Sequence, residues 1–405
     1  MVPNGWIATQ IGDVAKFSSG GTPSKQEVGY WGGGEPWISG KDLKTHYLER
    51  SIDTLTEEGF KVAKKAPYGA TLILVRGMTL LKDFPVGFAT REVAFNQDLK
   101  ALVPVKGVDG LFLSFLLVAE KHKIRQLVST AGHGTGRLET HSIQEYPINL
   151  PPLPEQKKIA QILSTWDKAI TTTEKLLANS QQQKKALMEQ LLTGKKRLLD
   201  KNGVRFSGEW KRVKLGNVFS KVSNGVTYDP QITEGLPVTR IETISTGVVN
   251  FDKVGLAPAE DNTRRFRLEK GDILYSHINS LDHIGRVAYF NDDRPLYHGM
   301  NLLLLRTEEP NQSMFLYYIL DSSIGKRYAK SYAKSAVNQA SISTTDIKTF
   351  SIHLPIKEEQ QKIAQFLSVA DRDISLLTEK LLALKNEKKA LMQQLLTGKR
   401  RVKIN

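Results

Sequence analysis

Two stretches of the chain place an apolar residue every three or four positions for longer than an ordinary globular helix lasts. In the first, Ile159, Leu163, Trp166, Ile170, Thr173 and Leu177 are followed by Leu187 and Leu191. In the second, the positions are Ile363, Leu367, Ala370, Ile374, Leu377, Leu381, Leu384, Leu391 and Leu395. Steps that alternate between four and three make a heptad seam, so both stretches predict long coiled-coil helices. Pro154 with Glu155 after it suits a first helical turn, and Gly194 and Gly398 stand where a left-handed cap ends a helix. Each helix then runs about 38 residues, or roughly 57 Å. Lys184 and Lys388 interrupt the seam at equivalent places, either to set register or to snorkel outward.

The two stretches are copies. "LPPLPEQKKIAQILS" from Leu150 returns as "LPIKEEQQKIAQFLS" from Leu354, and "KALMEQLLTGKKR" from Lys185 returns as "KALMQQLLTGKRR" from Lys389. Leu150 and Leu354, Asp167 and Asp371, and Gly194 and Gly398 all stand 204 apart, as do Trp6 and Trp210. A period this long is a duplicated domain, since solenoid units repeat every ~20–50 residues. The expected organisation is a globular domain over 1–153, a long helix over 154–197, a second globular domain over 198–353 and a second long helix over 354–405.

Between the anchors the copies diverge on a shared skeleton. "PYGATLILV" from Pro67 matches "EKGDILYS" from Glu269, "VGFA" from Val86 matches "IGRVA" from Ile284, and "LFLSFLL" from Leu111 matches "MFLYYIL" from Met314. The fold class expected is α/β (α+β): tandem domains, each with a small mixed or mainly antiparallel sheet and two or three helices. A one-sided apolar helix needs a mate, and the other copy is at hand. Antiparallel pairing would fold the chain back on itself with pseudo-twofold symmetry, whereas parallel pairing with a second chain is the alternative.

Composition narrows the partners. The 405 residues carry a formal net charge of +15, which points towards a polyanion. There is no cysteine, so disulfides and thiolate metal sites are excluded. The longest apolar run, Leu111 to Ala119, is far short of the ~18 residues a membrane span needs, and the first residues lack the pattern of a secretion signal. A cytoplasmic protein without a membrane partner is expected.

The chemistry-bearing motifs are few. No GxxxxGK[ST] loop and no NPPY-like methyltransferase motif occurs, and "GHGTGR" (132–137) has neither the GxGxxG spacing nor its βαβ context, reading instead as a mobile turn. His277 and His283, with Asp282, lack a third ligand at metal spacing and read as surface or DNA-facing residues. Residues able to read base edges lie beside expected strand ends and loops: Lys25, Lys41, Arg76 and Lys82 in the first domain, and Arg240, Arg265, Arg267, His277 and Asn279 in the second. For each one, ordinary solvation is the alternative. The basic stretches "AEKHKIRQ" (119–126) and "GKRYAKSYAK" (325–334) suit phosphate contacts or a solvated helix face. Lys195 to Arg197 and Lys399 to Arg401 could serve the helix dipole, DNA or a partner.

This architecture resembles the specificity subunit of Type I restriction-modification systems over essentially the whole chain. The resemblance rests on the repeated "LPPLPEQKKIAQIL", on the "LLTGK" helix ends, on "SSGGTPSKQEVGYWGGGEPWISGKDL" (18–43) and on "AFNQDLKAL" (94–102). In the second half, "PVTRIETI" and "GDILYSHIN" look like another class of recognition domain. The resemblance implies that each globular domain binds one half of a bipartite double-stranded DNA target, asymmetric here because the domains differ. It implies helices that act as spacer and dock two methyltransferase (modification) subunits, with restriction-translocase subunits joining them. It also implies no cofactor on this chain, S-adenosylmethionine and ATP belonging to the partners. Asn96 and Gln97 have a structural reading, since that motif is shared by members with different targets. A stand-alone DNA-binding regulator is the rival reading, and a self-contained methyltransferase or nuclease a more distant one.

Overall fold

The computed structural model describes residues 2–131, 134–336 and 339–404. Its two long helices run Leu153–Leu191 and Lys357–Leu395, 39 residues each. The chain divides into two compact units, and each unit takes a part of both helices. One comprises Met1–Glu174 with Glu379–Asn405, the other Lys175–Thr378.

The first unit is built on a five-stranded sheet in the order Ala15–Ser19, Leu99–Pro104, Thr71–Leu74, Val86–Ala89, Tyr47–Leu48, antiparallel except for its last pair. The helix Gly110–Arg125 lays Phe112, Leu113 and Phe115 into the core beneath it, with Asp109 capping its start by accepting the Phe112 amide at 2.9 Å. Ile159, Ala160 and Leu163 from the first long helix, and Leu395 at the end of the second with Leu396 just after it, are buried in that same core. The chain contains several small sheets where one was expected. "GYWGGGEPW" shifts register between Trp31 and Glu35, and such a bulge ends regular pairing, so Trp31–Ile38 joins a separate four-stranded sheet.

The second unit repeats the frame. Phe219–Ser223, Leu303–Thr307, Ile273–Tyr275 and Val287–Tyr289 form a four-stranded antiparallel sheet, the order of the first four strands of its counterpart. The helix Pro310–Asp321 covers it, burying Phe315, Leu316, Tyr318 and Ile319 together with Met188, Leu191, Ile363, Ala364 and Leu367 of the long helices and Leu192 just after the first. Among the described residues each globular domain carries four α-helices rather than two or three, most of the additions being single turns of four to six residues.

Burial along the long helices follows the heptad seam. In the first, Ile159, Leu163, Thr173 and Leu191 are buried and Trp166, Ile170, Leu177 and Leu187 half-buried. In the second, Ile363, Leu367 and Leu395 are buried and Ala370, Ile374, Leu377, Leu381, Leu384 and Leu391 half-buried. Within the first unit, Lys385 pairs with Glu174 at 2.7 Å, Lys388 with Asp167 at 2.5 Å and Arg401 with Glu155 at 2.7 Å. One number rises as the other falls, so the segments are antiparallel. The second unit gives the same sense through Lys184–Asp371 at 2.5 Å and Arg197–Glu359 at 2.6 Å. The two seam lysines are therefore ion-paired, with side chains only 15% and 17% exposed.

Both helix ends close as the glycines require. Gly194 and Gly398 take φ of +71° and +68°, where a side chain would be strained, and the amides of Lys196 and Arg400 return to the carbonyls of Gln190 and Gln394. That turn brings an arginine to a buried carboxylate. Arg197 grips Glu359 with Nε and Nη2 at 2.6 and 2.7 Å, and Arg401 grips Glu155 at 2.7 and 2.8 Å. Glu155 and Glu359 are both 0% exposed, and Trp6 donates to Glu155 at 3.2 Å. Gln156 and Gln360 donate to the carbonyls of Pro151 and Pro355 at 2.8 Å. The repeated "EQ" thus closes helix starts.

Replacing Arg197 with alanine strands the Glu359 carboxylate without its cation. The expected cost is about 3 kcal/mol, read as a lowered denaturant midpoint, with Arg197→Leu/Glu359→Leu recovering most of it.

Candidate nucleic-acid interface

In the first domain the "SSGG" segment lies against "AFNQD". The Gly21 amide donates to the Phe95 carbonyl at 2.9 Å, Thr22 donates to the Gln97 side chain at 2.6 Å, and a Cβ on Gly20 would stand 2.1 Å from the Asn96 carbonyl. Trp37 donates to the Gly21 carbonyl and Trp31 to that of Ser24, the two rings meeting edge to face at 5.1 Å. Lys25 is exposed next to this anchored segment. Lys41 is exposed on a turn held by Asp42, whose carboxylate accepts from the Ser39 amide and hydroxyl at 2.8 Å and from the Ile52 amide at 2.7 Å.

Arg76 and Lys82 flank one exposed turn. Arg76–Gly77 is the edge of a three-stranded sheet with Thr135–Arg137 and Ser129–Ala131. Most of "GHGTGR" is thus a strand and its approach rather than a mobile turn, although Gly132 and His133 lie outside the described residues. Alternate glycines are a period-two signal, which a strand explains. The glycines beside Lys41 and Arg76 both pack on Leu74, whose methyls lie 3.1 Å from the Cβ position of Gly40 and 3.5 Å from that of Gly77. The helix carrying "AEKHKIRQ" closes on the same turn, with Arg125 donating to the Lys82 carbonyl at 2.7 Å and Lys121 pairing with Asp83 at 3.0 Å.

The second domain keeps a corresponding three-stranded sheet, Ile278–Asn279 with Gln339–Ser341 and Lys334–Ala336. Asn279 sits on it, bonded to Ser276 at 3.0 Å. Arg240, Arg265 and Arg267 gather elsewhere, around the strand Leu236–Thr239: Val238 and Arg267 both bridge to Tyr297. Arg240 lies 4.9 Å over the Tyr228 ring and Arg265 5.3 Å over Phe266. His277 departs from the surface position expected. It is 6% exposed, with Nε2 3.4 Å from the Asn224 amide nitrogen, because the strand end that carries it turns inward beside the fully buried His298.

Each unit also has a groove between the start of one long helix and the tail after the other. In the first, Lys158, Gln161, Ile162, Trp166, Leu391 and Val402 help line about 880 Å³. In the second, Lys362, Gln365, Phe366, Val369, Leu198 and Leu199 help line about 530 Å³. Lys158 and Lys362, and Gln161 and Gln365, are identical at the 204-residue offset yet exposed, so helix pairing does not account for them.

A family profile described as Type I restriction modification DNA specificity domain matches residues 3–179 and again 207–386. The chain belongs to that family. A Type I restriction enzyme specificity subunit of Methanocaldococcus jannaschii, MjaVIII, is 27% identical over 423 residues, covering 99% of this chain and 94% of its own. A second protein of that organism, described as the MjaX specificity subunit, is 39% identical over 195 residues, 47% of this chain and 46% of its own. The crystal structure of a Type I restriction-modification S subunit from M. genitalium shares the fold, with a TM-score of 0.64 at 16% identity over 98% of this chain and 99% of that one. Among the described residues, no helix is long and apolar enough to cross a membrane.

Arg137, facing Arg76 on the small sheet, and Met78, 73% exposed on the turn after Gly77, were not among the candidates named from the sequence. The period-two glycines were the available signal for Arg137, whereas nothing local distinguished Met78 from a core methionine.

Burial holds His277 and His298 of the second unit at about 4, well below the ordinary imidazole value of 6.5, and burial is also the main cause at His46 of the first, likewise about 4. Above pH 6.5 these rings are neutral in both folded and unfolded states. As pH falls from 6.5 towards 4, the unfolded chain takes up protons that the fold refuses, so stability declines, on the order of 1 kcal/mol per pH unit per histidine. Denaturation followed between pH 7 and 4.5 should show this decline, and His277→Asn should make it shallower by about one histidine's share, roughly 1 kcal/mol per pH unit.

Proposed function

We propose that this chain selects the DNA on which a Type I restriction-modification complex acts, reading a bipartite, asymmetric double-stranded target with one globular domain per half. The observation carrying the reading is one sheet order in both domains beneath different side chains: exposed Arg76 and Arg137 on one small sheet, half-buried Ile278 and Asn279 with exposed Lys334 on the other. A common frame with divergent surfaces suits two ligands of one chemical class and different sequence. The excess positive charge suits a duplex backbone, on which phosphate contacts position and base contacts specify.

The chain itself performs no catalysis in this reading and holds no cofactor. S-adenosylmethionine binds two methyltransferase subunits, ATP binds restriction-translocase subunits, and the assembly works in the cytoplasm. The long helices are spacer and dock. What supports docking is the pair of grooves, whose exposed lysine and glutamine are retained while the globular domains diverge. Two equivalent grooves fit two copies of one partner.

Exchange of residues 17–140 for the matching segment of a homologue tests the division of labour. Methylome sequencing should find one half of the modified sequence changed and the other intact; a change in both halves, in an active complex, contradicts independent reading. Docking has its own test. Phe366, 46% exposed in its groove, replaced by glutamate should reduce the methyltransferase subunits bound per chain from about two to one by native mass measurement, with DNA binding by the chain retained.

A further inference from the structure

Arg76 and Arg137 are direct partners on adjacent antiparallel strands, so both side chains rise from one face of the sheet, their Cβ atoms about 5 Å apart. Both are exposed. Like charges placed directly opposite destabilise a strand pair. Arg137 is relieved by Glu139 at 2.8 Å, but Arg76 has no carboxylate partner among the described residues. The fold therefore keeps an electrostatic cost at its surface that an anionic or hydrogen-bond-accepting ligand would remove.

The turn that follows Arg76–Gly77 begins with an apolar residue. Met78 is 73% exposed, on a turn pinned from below by Leu80, which is 0% exposed and packs so closely that a Cβ on Gly136 would stand 2.9 Å from it. The methionine is thus held outward by a buried anchor. Two guanidinium forks beside one outward thioether match the edge of a base-paired duplex: arginine suits the O6 and N7 acceptors of guanine, and an apolar tip suits the thymine methyl. In the second domain the register of Arg76 with Arg137 is occupied by Ile278 with Ser341, so the same sheet there offers different groups.

Resting on the DNA-recognition reading above, we propose that Arg76, Arg137 and Met78 form the base-reading head of the first domain, the arginines donating to guanine in the major groove and Met78 packing on the methyl of a neighbouring thymine. The test is selection from randomised duplexes by the complex assembled with its methyltransferase subunits, for the unchanged chain and for Arg76→Ala, Arg137→Ala and Met78→Ala. Each arginine variant should lose guanine preference on the order of tenfold at one position of one half-site. Met78→Ala should flatten thymine preference beside it, and the other half-site should stay unchanged. Deoxyuridine in place of that thymine should weaken the unchanged chain and leave Met78→Ala unaffected. Uniform weakening across all sequences, or unaltered preferences, overturns the proposal while leaving DNA recognition standing. If the unchanged chain selects no sequence at all, recognition itself falls.

Discussion

The structure depends on one constraint: a 39-residue helix with a single apolar face must be covered along its whole length. The chain meets it twice with one set of residues. Each unit closes a helix start with a buried glutamate, a helix end with a left-handed glycine, and the gap between them with an arginine. A buried carboxylate is costly unless paired, so the clasp specifies which segments meet more than it adds net stability. The lysine–aspartate pair within the seam works alike, because sliding the helices by a turn would leave both charges half-buried and unpaired.

That constraint explains the repeated motif better than any ligand does. Glu155 and Glu359, Gln156 and Gln360, Asp167 and Asp371, Lys184 and Lys388, and Arg197 and Arg401 all point to other parts of their own unit. Only the outward identities, such as Lys158 with Lys362, remain for a partner. The repeat was therefore recorded in the sequence as two things at once, and geometry was needed to separate them.

Much of the fold was legible because periodicity and special glycines are local signals. The seam residues, the caps at Gly194 and Gly398 and the correspondence of matched segments between the copies follow from spacing alone. What escaped notice depended on distant neighbours. Nothing near Lys184 names Asp371 as its mate, and nothing near His277 says that its strand end turns inward beside His298. Arg137 was hidden by a glycine-rich stretch whose alternation resembles a loop until Gly77 supplies the facing strand. Arg76 and Asn279 were visible as polar residues at strand ends, but their placement on corresponding small sheets was not.

The tyrosines show how far divergence reaches before the helix pair stops it. Tyr47, from the short edge strand Tyr47–Leu48, donates to Asp167 at 3.1 Å; Tyr318, from the helix Pro310–Asp321, donates to Asp371 at 2.6 Å. The 204-residue offset relates the two aspartates but not the two tyrosines, since Ser114 stands at the place of Tyr318 and Phe251 at that of Tyr47. Both phenols are held protonated, their pKa values raised chiefly by burial and then by the aspartate. Each domain has thus found its own route to the same acceptor. The fixed quantity is the aspartate that pairs with the seam lysine, and a globular domain is free to change its surface as long as it still supplies a donor there.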